Sequence, residues 1–165
     1  MPSIQNVIAT ILAQIPEPLT EDTVDTLKAG DPSQPVTGIV TTFLASQAVL
    51  ERAVKLGANL VITHEPTFYN HLDETDWLED DPVFRQKRVF IEQNNLVVWR
   101  FHDNLHRHQP DPTTAGISQA LGWQDYFEEG QDIYKIPAIS LSALAQMIKN
   151  RLGIKALRMI GDPEM

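Results

Sequence analysis

The sequence predicts an α/β protein whose parallel or mixed sheet is flanked by helices and built from βαβ units. Three observations carry this. Two successive stretches, from Val36 to Thr63 and from Pro82 to Phe101, alternate β-branched or aromatic runs with apolar residues at helical spacing. Such a strand, helix, strand succession joins parallel strands through a right-handed crossover. The length of 165 residues suits one domain with a sizeable core, and one α/β domain over residues 1–165 is the expectation.

The elements follow in order. Ile4, Val7, Ile8, Ile11, Leu12 and Ile15 recur at the i, i+3, i+4, i+7 spacing of an amphipathic helix, with Ser3 placed to cap it and Pro16 and Pro18 to stop it. Glu17 to Pro35 is rich in Pro, Asp, Gly and Thr and reads as an irregular connection, with a short extended piece at Val24 to Lys28. Val36 to Phe43 is a strand. Ser46 then opens a helix through Val49, Leu50, Ala53 and Val54, with Gly57 at its C-terminal end, and Asn59 to Thr63 is a short buried strand. In the second unit Pro82 takes the first helical position, Val83, Phe84, Phe90 and Ile91 form the apolar side, Asn94 and Asn95 end the helix, and Leu96 to Phe101 is a strand. Asp111 and Pro112 start a helix through Leu121, Ile133 to Ile136 is a strand, Ser140 caps a helix to Leu152, and Ala156 to Ile160 is a last, edge strand. The chain stops in turn-forming residues just where another element should begin, so a longer protein is expected.

Composition excludes several functions. With 13 basic against 22 acidic residues the net charge is −9, so a basic footprint for nucleic acid or anionic lipid is missing. Cysteine is absent, which removes disulfides, thiolate nucleophiles and zinc fingers and leaves any metal site with nitrogen and oxygen ligands. No apolar run reaches the ~18 residues of a membrane span, and no basic residue precedes Lys28, so neither membrane nor secretory signal is expected and the protein is placed in the cytoplasm. Phosphate-loop, dinucleotide-binding and G-x-S-x-G patterns do not occur.

The chemistry gathers on histidine. All five, His64, His71, His102, His106 and His108, fall within 45 residues. His64 follows one predicted parallel strand and His102 the next, and ligands of open α/β sheets bind outside the carboxyl ends of such strands. Thr63, His64, Glu65, Pro66 and Phe101, His102, Asp103, Asn104, Leu105, His106 bring three imidazoles and two carboxylates to adjacent strand ends. That set suits Zn²⁺, Mn²⁺, Fe²⁺, Co²⁺ or Ni²⁺. The expected ligands are His64, Glu65, His102, Asp103 and His106, with Glu65 and Asp103 also cast as the proton-handling groups. The plainer reading is that the histidines bond nearby carbonyls and that Glu65 and Asp103 cap turns. His71, in the loop from Asn70 to Asp73, is read as solvated or supporting as readily as ligating, and His108 likewise. The acidic run from Asp73 to Asp81 reads as a solvated, helix-capping segment. Trp77, Trp99 and Trp123 read as core or interface residues, and Phe68 and Tyr69 as the aromatics that line a pocket.

Gly38 to Phe43, the helix ending Lys55, Leu56, Gly57, Ala58, Asn59, the run Leu60 to Pro66 and the stretch Phe101 to Leu105 together resemble the NGG-one-interacting-factor-three-like family, often labelled GTP cyclohydrolase I type 2 and described as dinuclear metal-centre proteins. The resemblance covers nearly the whole chain. The usual family pattern carries two adjacent histidines before proline, and later His, Thr, Asn, Leu, Asp with the aspartate binding metal. Here His64 matches the first of the pair, Glu65 stands at the second, and His106 stands at the aspartate. The resemblance implies one or two divalent ions per chain, further ligands from a segment beyond the region matching Gly161, and self-association as a homo-oligomer.

The leading function is therefore a divalent-metal-binding, hydrolase-like protein acting through a metal-activated water on a small-molecule substrate of unknown identity. A non-catalytic metal-binding regulatory or protein-interaction module is the alternative. A metal-free interaction domain follows if the histidines are structural.

Overall fold

The computed structural model describes residues 1–19, 21–128 and 133–165; Thr20, inside the irregular stretch, and residues 129–132 lie outside them. The chain divides into two compact units, Met1–His108 and Gln109–Met165.

The first unit holds helix α1 (Ile4–Leu12), strand β1 (Leu27–Ala29), strand β2 (Ile39–Thr42), helix α2 (Gln47–Lys55), strand β3 (Leu60–Thr63), helix α3 (Pro82–Gln93) and strand β4 (Val97–Arg100). The strands form one mixed sheet in the order β1-β4-β3-β2. β2, β3 and β4 run parallel, in the register Thr42, Thr63, Arg100, so the two histidine-bearing strands are neighbours that end level. The extended piece expected at Val24 to Lys28 shortens to β1, which shares Leu27 and Lys28 with it, ends one residue later and runs antiparallel to β4.

Side-chain alternation along the strands then divides the core. Leu60, Val97 and Trp99 face α1 and pack with Ile4. Val61 and Val98 face the other way and pack with Leu50 and Ala53 of α2 and Ile91 of α3. The helices start where the sequence places them: the side chains of Ser3, Ser46 and Asp81 accept the amide N–H of Asn6, Val49 and Phe84. α1 closes at Leu12 rather than Ile15, because the Ile15 N–H bonds back to Leu12 and tightens the last turn, although Ile15 stays buried. Gly30, at φ 88°, is required by close approach, since a Cβ there would collide with the Leu96 carbonyl.

The second unit contains α4 (Pro112–Leu121), a two-stranded antiparallel sheet of β5 (Phe127–Glu128) and β6 (Ile133–Tyr134), and α5 (Leu141–Leu152). Two expectations are corrected here. The strand from Ile133 to Ile136 shortens to Ile133–Tyr134, which pairs among the described residues with β5 alone. Ala156 to Ile160 is not a strand and its residues are exposed. An apolar, β-prone run forms a strand only when a neighbour takes up its backbone N–H and C=O groups, and the described residues offer this run none. No helix among the described residues is long and apolar enough to cross a membrane.

Candidate metal centre

Parallel pairing brings His64 and His102 together. β3 stops at Thr63, whose buried hydroxyl accepts the Ala45 N–H at 3.1 Å and faces the Glu65 carbonyl at 3.1 Å, so the chain turns sharply as it leaves the sheet. β4 stops at Arg100, two residues before His102. The His64 and His102 rings stack with centroids 4.4 Å apart. His106, carried round by the single 3-10 turn Leu105–Arg107, sets its ring 5.1 Å from His64 and 4.9 Å from His102. One ring nitrogen from each of the three lies within 4.8 Å of the others, in a half-buried setting.

Hydrogen bonding prepares two of these rings as ligands. The Nδ1 of His64 faces the Phe101 carbonyl at 3.3 Å, and the Nδ1 of His102 faces Oδ1 of Asp103 at 3.0 Å. Those oxygens only accept, so each Nδ1 carries the proton and each Nε2 offers its lone pair. Burial pushes the His64 imidazolium down in pKa, helped by the neighbouring His102 and His106 and opposed by the Phe101 carbonyl and Glu65. The ring is neutral and ready to ligate. Three imidazoles held by strand ends and a short turn fit a divalent transition ion.

The two carboxylates expected as further ligands stand outside that group. Burial alone would raise Asp103, but the Val24 N–H, the Thr23 hydroxyl and His102 together hold it below the usual carboxylate range. It accepts from Thr23 at 2.8 Å and Val24 at 2.9 Å as well as from His102. Glu65 is one-third exposed and lies 3.9 Å from the Arg100 guanidinium, which is fully buried. His71 and His108 also lie outside the group.

Sequence reasoning missed the residues that hold the loop after β4. Asp25 accepts three successive amides, those of His102, Asp103 and Asn104, at 2.6, 2.9 and 2.8 Å. Asn104, fully buried, bonds both the N–H and the C=O of Leu19. These partners are about 80 positions apart along the chain, and no local pattern marks them. Arg100 was read only as a strand residue, yet its Nε donates to the His64 carbonyl at 3.0 Å and its Nη1 to the His71 carbonyl. Between them the Asp73 carboxylate gathers the N–H groups of Thr67, Phe68 and Tyr69, so the expected solvated run begins with a structural acid. Phe68 and Tyr69 line a cavity of about 500 Å³, as expected, together with Trp77, Leu78, Phe84 and Lys87. Trp77 is thereby an exposed pocket wall rather than a core residue, whereas Trp99 is core.

The Duf34/NIF3 (NGG1p interacting factor 3) family model matches residues 3–165. The chain belongs to this family. Among its relatives, the GTP cyclohydrolase 1 type 2 homolog of Escherichia coli K12 is 31% identical over 129 residues, covering 72% of this chain and 48% of that protein. The homolog of the same name in Clostridium perfringens is 23% identical over 151 residues, covering 82% and 55%. This NIF3 chain thus spans about half the length of the curated relatives it matches. The crystal structure of the Staphylococcus aureus hypothetical protein SA1388 superposes with a TM-score of 0.73 at 16% identity, covering 98% of this chain and 68% of that one, and shows the same fold.

Two predictions arise from this geometry. Asp103→Asn removes the carboxylate that orients His102 and is expected to weaken zinc binding about 10- to 100-fold, as loss of a ligand's hydrogen-bonding partner does. Competition with a chromogenic chelator reads this, and unchanged affinity would show that Asp103 does not position His102. The second concerns pH. In the unfolded chain His64 takes up a proton as pH falls through about 6.5, whereas the folded site resists it. Its contribution to stability is therefore present above that pH and lost as pH falls towards the depressed folded value. The thermal midpoint of metal-free protein should fall as pH is lowered from neutral, and fall less in His64→Gln. Equal slopes would contradict this.

Proposed function

We propose that this chain is a divalent-metal-binding, hydrolase-like protein that holds one ion through the ring nitrogens of His64, His102 and His106. The observation that carries the reading is that parallel strand ends and one short turn bring three imidazoles within ligating range of one another. When bound, such an ion supplies Lewis acidity and acidifies water towards a pKa of about 7. The chain's residues supply the rest. Asp103 keeps the proton of His102 on Nδ1, which leaves Nε2 with its lone pair free to ligate. Glu65 follows His64 in the chain, is partly exposed and lies 3.9 Å from the Arg100 guanidinium; in this reading it accepts the proton of a nucleophile. The substrate is a small molecule, the protein is cytoplasmic, and it self-associates.

A second reading, a metal-binding module without turnover, draws on the engagement of both carboxylates by other groups. One experiment separates the two: metal content of chelator-free protein by plasma mass spectrometry, followed by a screen of phosphoesters and nucleotides with the loaded protein. Uptake of an ion with turnover that Glu65→Gln abolishes supports the hydrolase. Uptake without turnover supports the module, and no uptake from zinc, manganese or nickel overturns both.

A further inference from the structure

Of the two histidines outside the ligand group, His71 is the one held against it. Its ring stands edge-on to that of His102, with centroids 5.3 Å apart at 77°. Arg100 grips it twice. The guanidinium donates through Nη1 to the His71 carbonyl and turns Nη2 towards the ring Nδ1 at 3.4 Å. A guanidinium has five N–H groups and no acceptor, so Nδ1 must be the unprotonated nitrogen. The single proton of the neutral ring then sits on Nε2. This is the opposite tautomer from His64 and His102, whose Nδ1 atoms face oxygen acceptors.

We propose that His71 is the hydrogen-bond donor of this centre, presenting Nε2–H to an anionic oxygen of the molecule bound at the three histidines rather than ligating the ion itself. The assignment rests on the metal-binding reading above. Its chemistry is complementary to theirs. Nitrogen lone pairs attract a cation, and an N–H beside them attracts the carboxylate or phosphate oxygen that a cation also attracts. His71 is exposed while the guanidinium behind it is fully buried, so the residue is open to a ligand from solvent and backed by a buried support. The loop is fixed at three points: Arg100 on the carbonyls of His64 and His71, and Asp73 on the amides of residues 67–69. A donor already held in place loses little freedom when its acceptor arrives.

Long-range proton–nitrogen NMR on the full chain with ¹⁵N-labelled histidine, at mildly alkaline pH, tests the tautomer. His71→Ala and His71→Gln assign the signals. The expected result is Nε2-protonated His71 in the metal-free protein. On zinc titration the nitrogens of His64, His102 and His106 shift and those of His71 do not. Zinc affinity of both variants stays within about twofold of wild type. Affinity of the zinc-loaded protein for inorganic phosphate, by calorimetry, falls about tenfold or more in His71→Ala, as expected for a hydrogen bond to a charged group. It recovers in His71→Gln, whose amide N–H can take the place of Nε2–H. A parallel titration with acetate separates the sources: a matching loss assigns the role to any anionic oxygen, a loss for phosphate alone to phosphate. Nδ1-protonated His71, a His71 nitrogen that shifts as a zinc ligand, or unchanged anion affinities in His71→Ala overturn the proposal while zinc uptake survives. Failure of the wild type to take up zinc instead overturns the metal reading and the ligand-holding role with it.

Discussion

His64→Ala is expected to lower zinc affinity by more than about 100-fold, because losing a ligand costs more than the 10- to 100-fold typical of losing its supporting partner. The three donor nitrogens lie within 4.8 Å of one another. Removing one leaves two, and the remaining rings cannot compensate, since His71 and His108 lie outside the group. Metal content per chain by plasma mass spectrometry reads the loss directly. His108→Ala is the matched control and should retain full content. The half-buried His64 ring leaves space at the surface rather than a sealed void, so the variant is expected to fold, with a circular dichroism spectrum like that of wild type. Full metal content in a folded His64→Ala protein would move the site elsewhere.

Arg100→Met should damage the first unit severely, lowering unfolding free energy by about 2–4 kcal/mol. Hydrogen bonds from a charged donor contribute about 1.5–3 kcal/mol each, and Arg100 makes them to the carbonyls of both His64 and His71. Methionine fills a similar volume but donates nothing. Some of the loss is offset, because a fully buried guanidinium carries its own desolvation penalty. Urea unfolding followed through the buried Trp99 gives the change in midpoint, and metal affinity should fall in parallel as the turn after β3 loosens. A variant as stable as wild type would mean that water replaces the guanidinium at both carbonyls.

Much of the molecule was legible because its cues are local. Ser3, Ser46, Asp81, Asp111 and Ser140 each cap the helix that follows, and a cap acts within three residues. The βα alternation placed the parallel strands, and the strand-end position of His64 and His102 placed the candidate site. The failures share a cause as well. Ala156 to Ile160 has strand-like residues but no strand partner among the described residues, and the strand expected at Ile133 to Ile136 stops at Tyr134, where its pairing with β5 stops. Strand formation depends on a neighbour that a sequence window does not contain.

The same division holds within the site. The sequence by itself determined which groups gather: His64 and His102 must appear together once β3 and β4 pair in parallel, and His106 follows because a 3-10 turn returns the chain after four residues. Only the tertiary structure decided what each group does there. Asp103 turned towards His102, Thr23 and Val24, Glu65 settled beside Arg100, and Asp25 reached across from the far side of the sequence to hold three amides of the loop. The physical reason is that a side chain's residue type fixes what it can donate or accept, while its role depends on which partner lies within about 3 Å, and those partners arrive from segments up to 85 residues away.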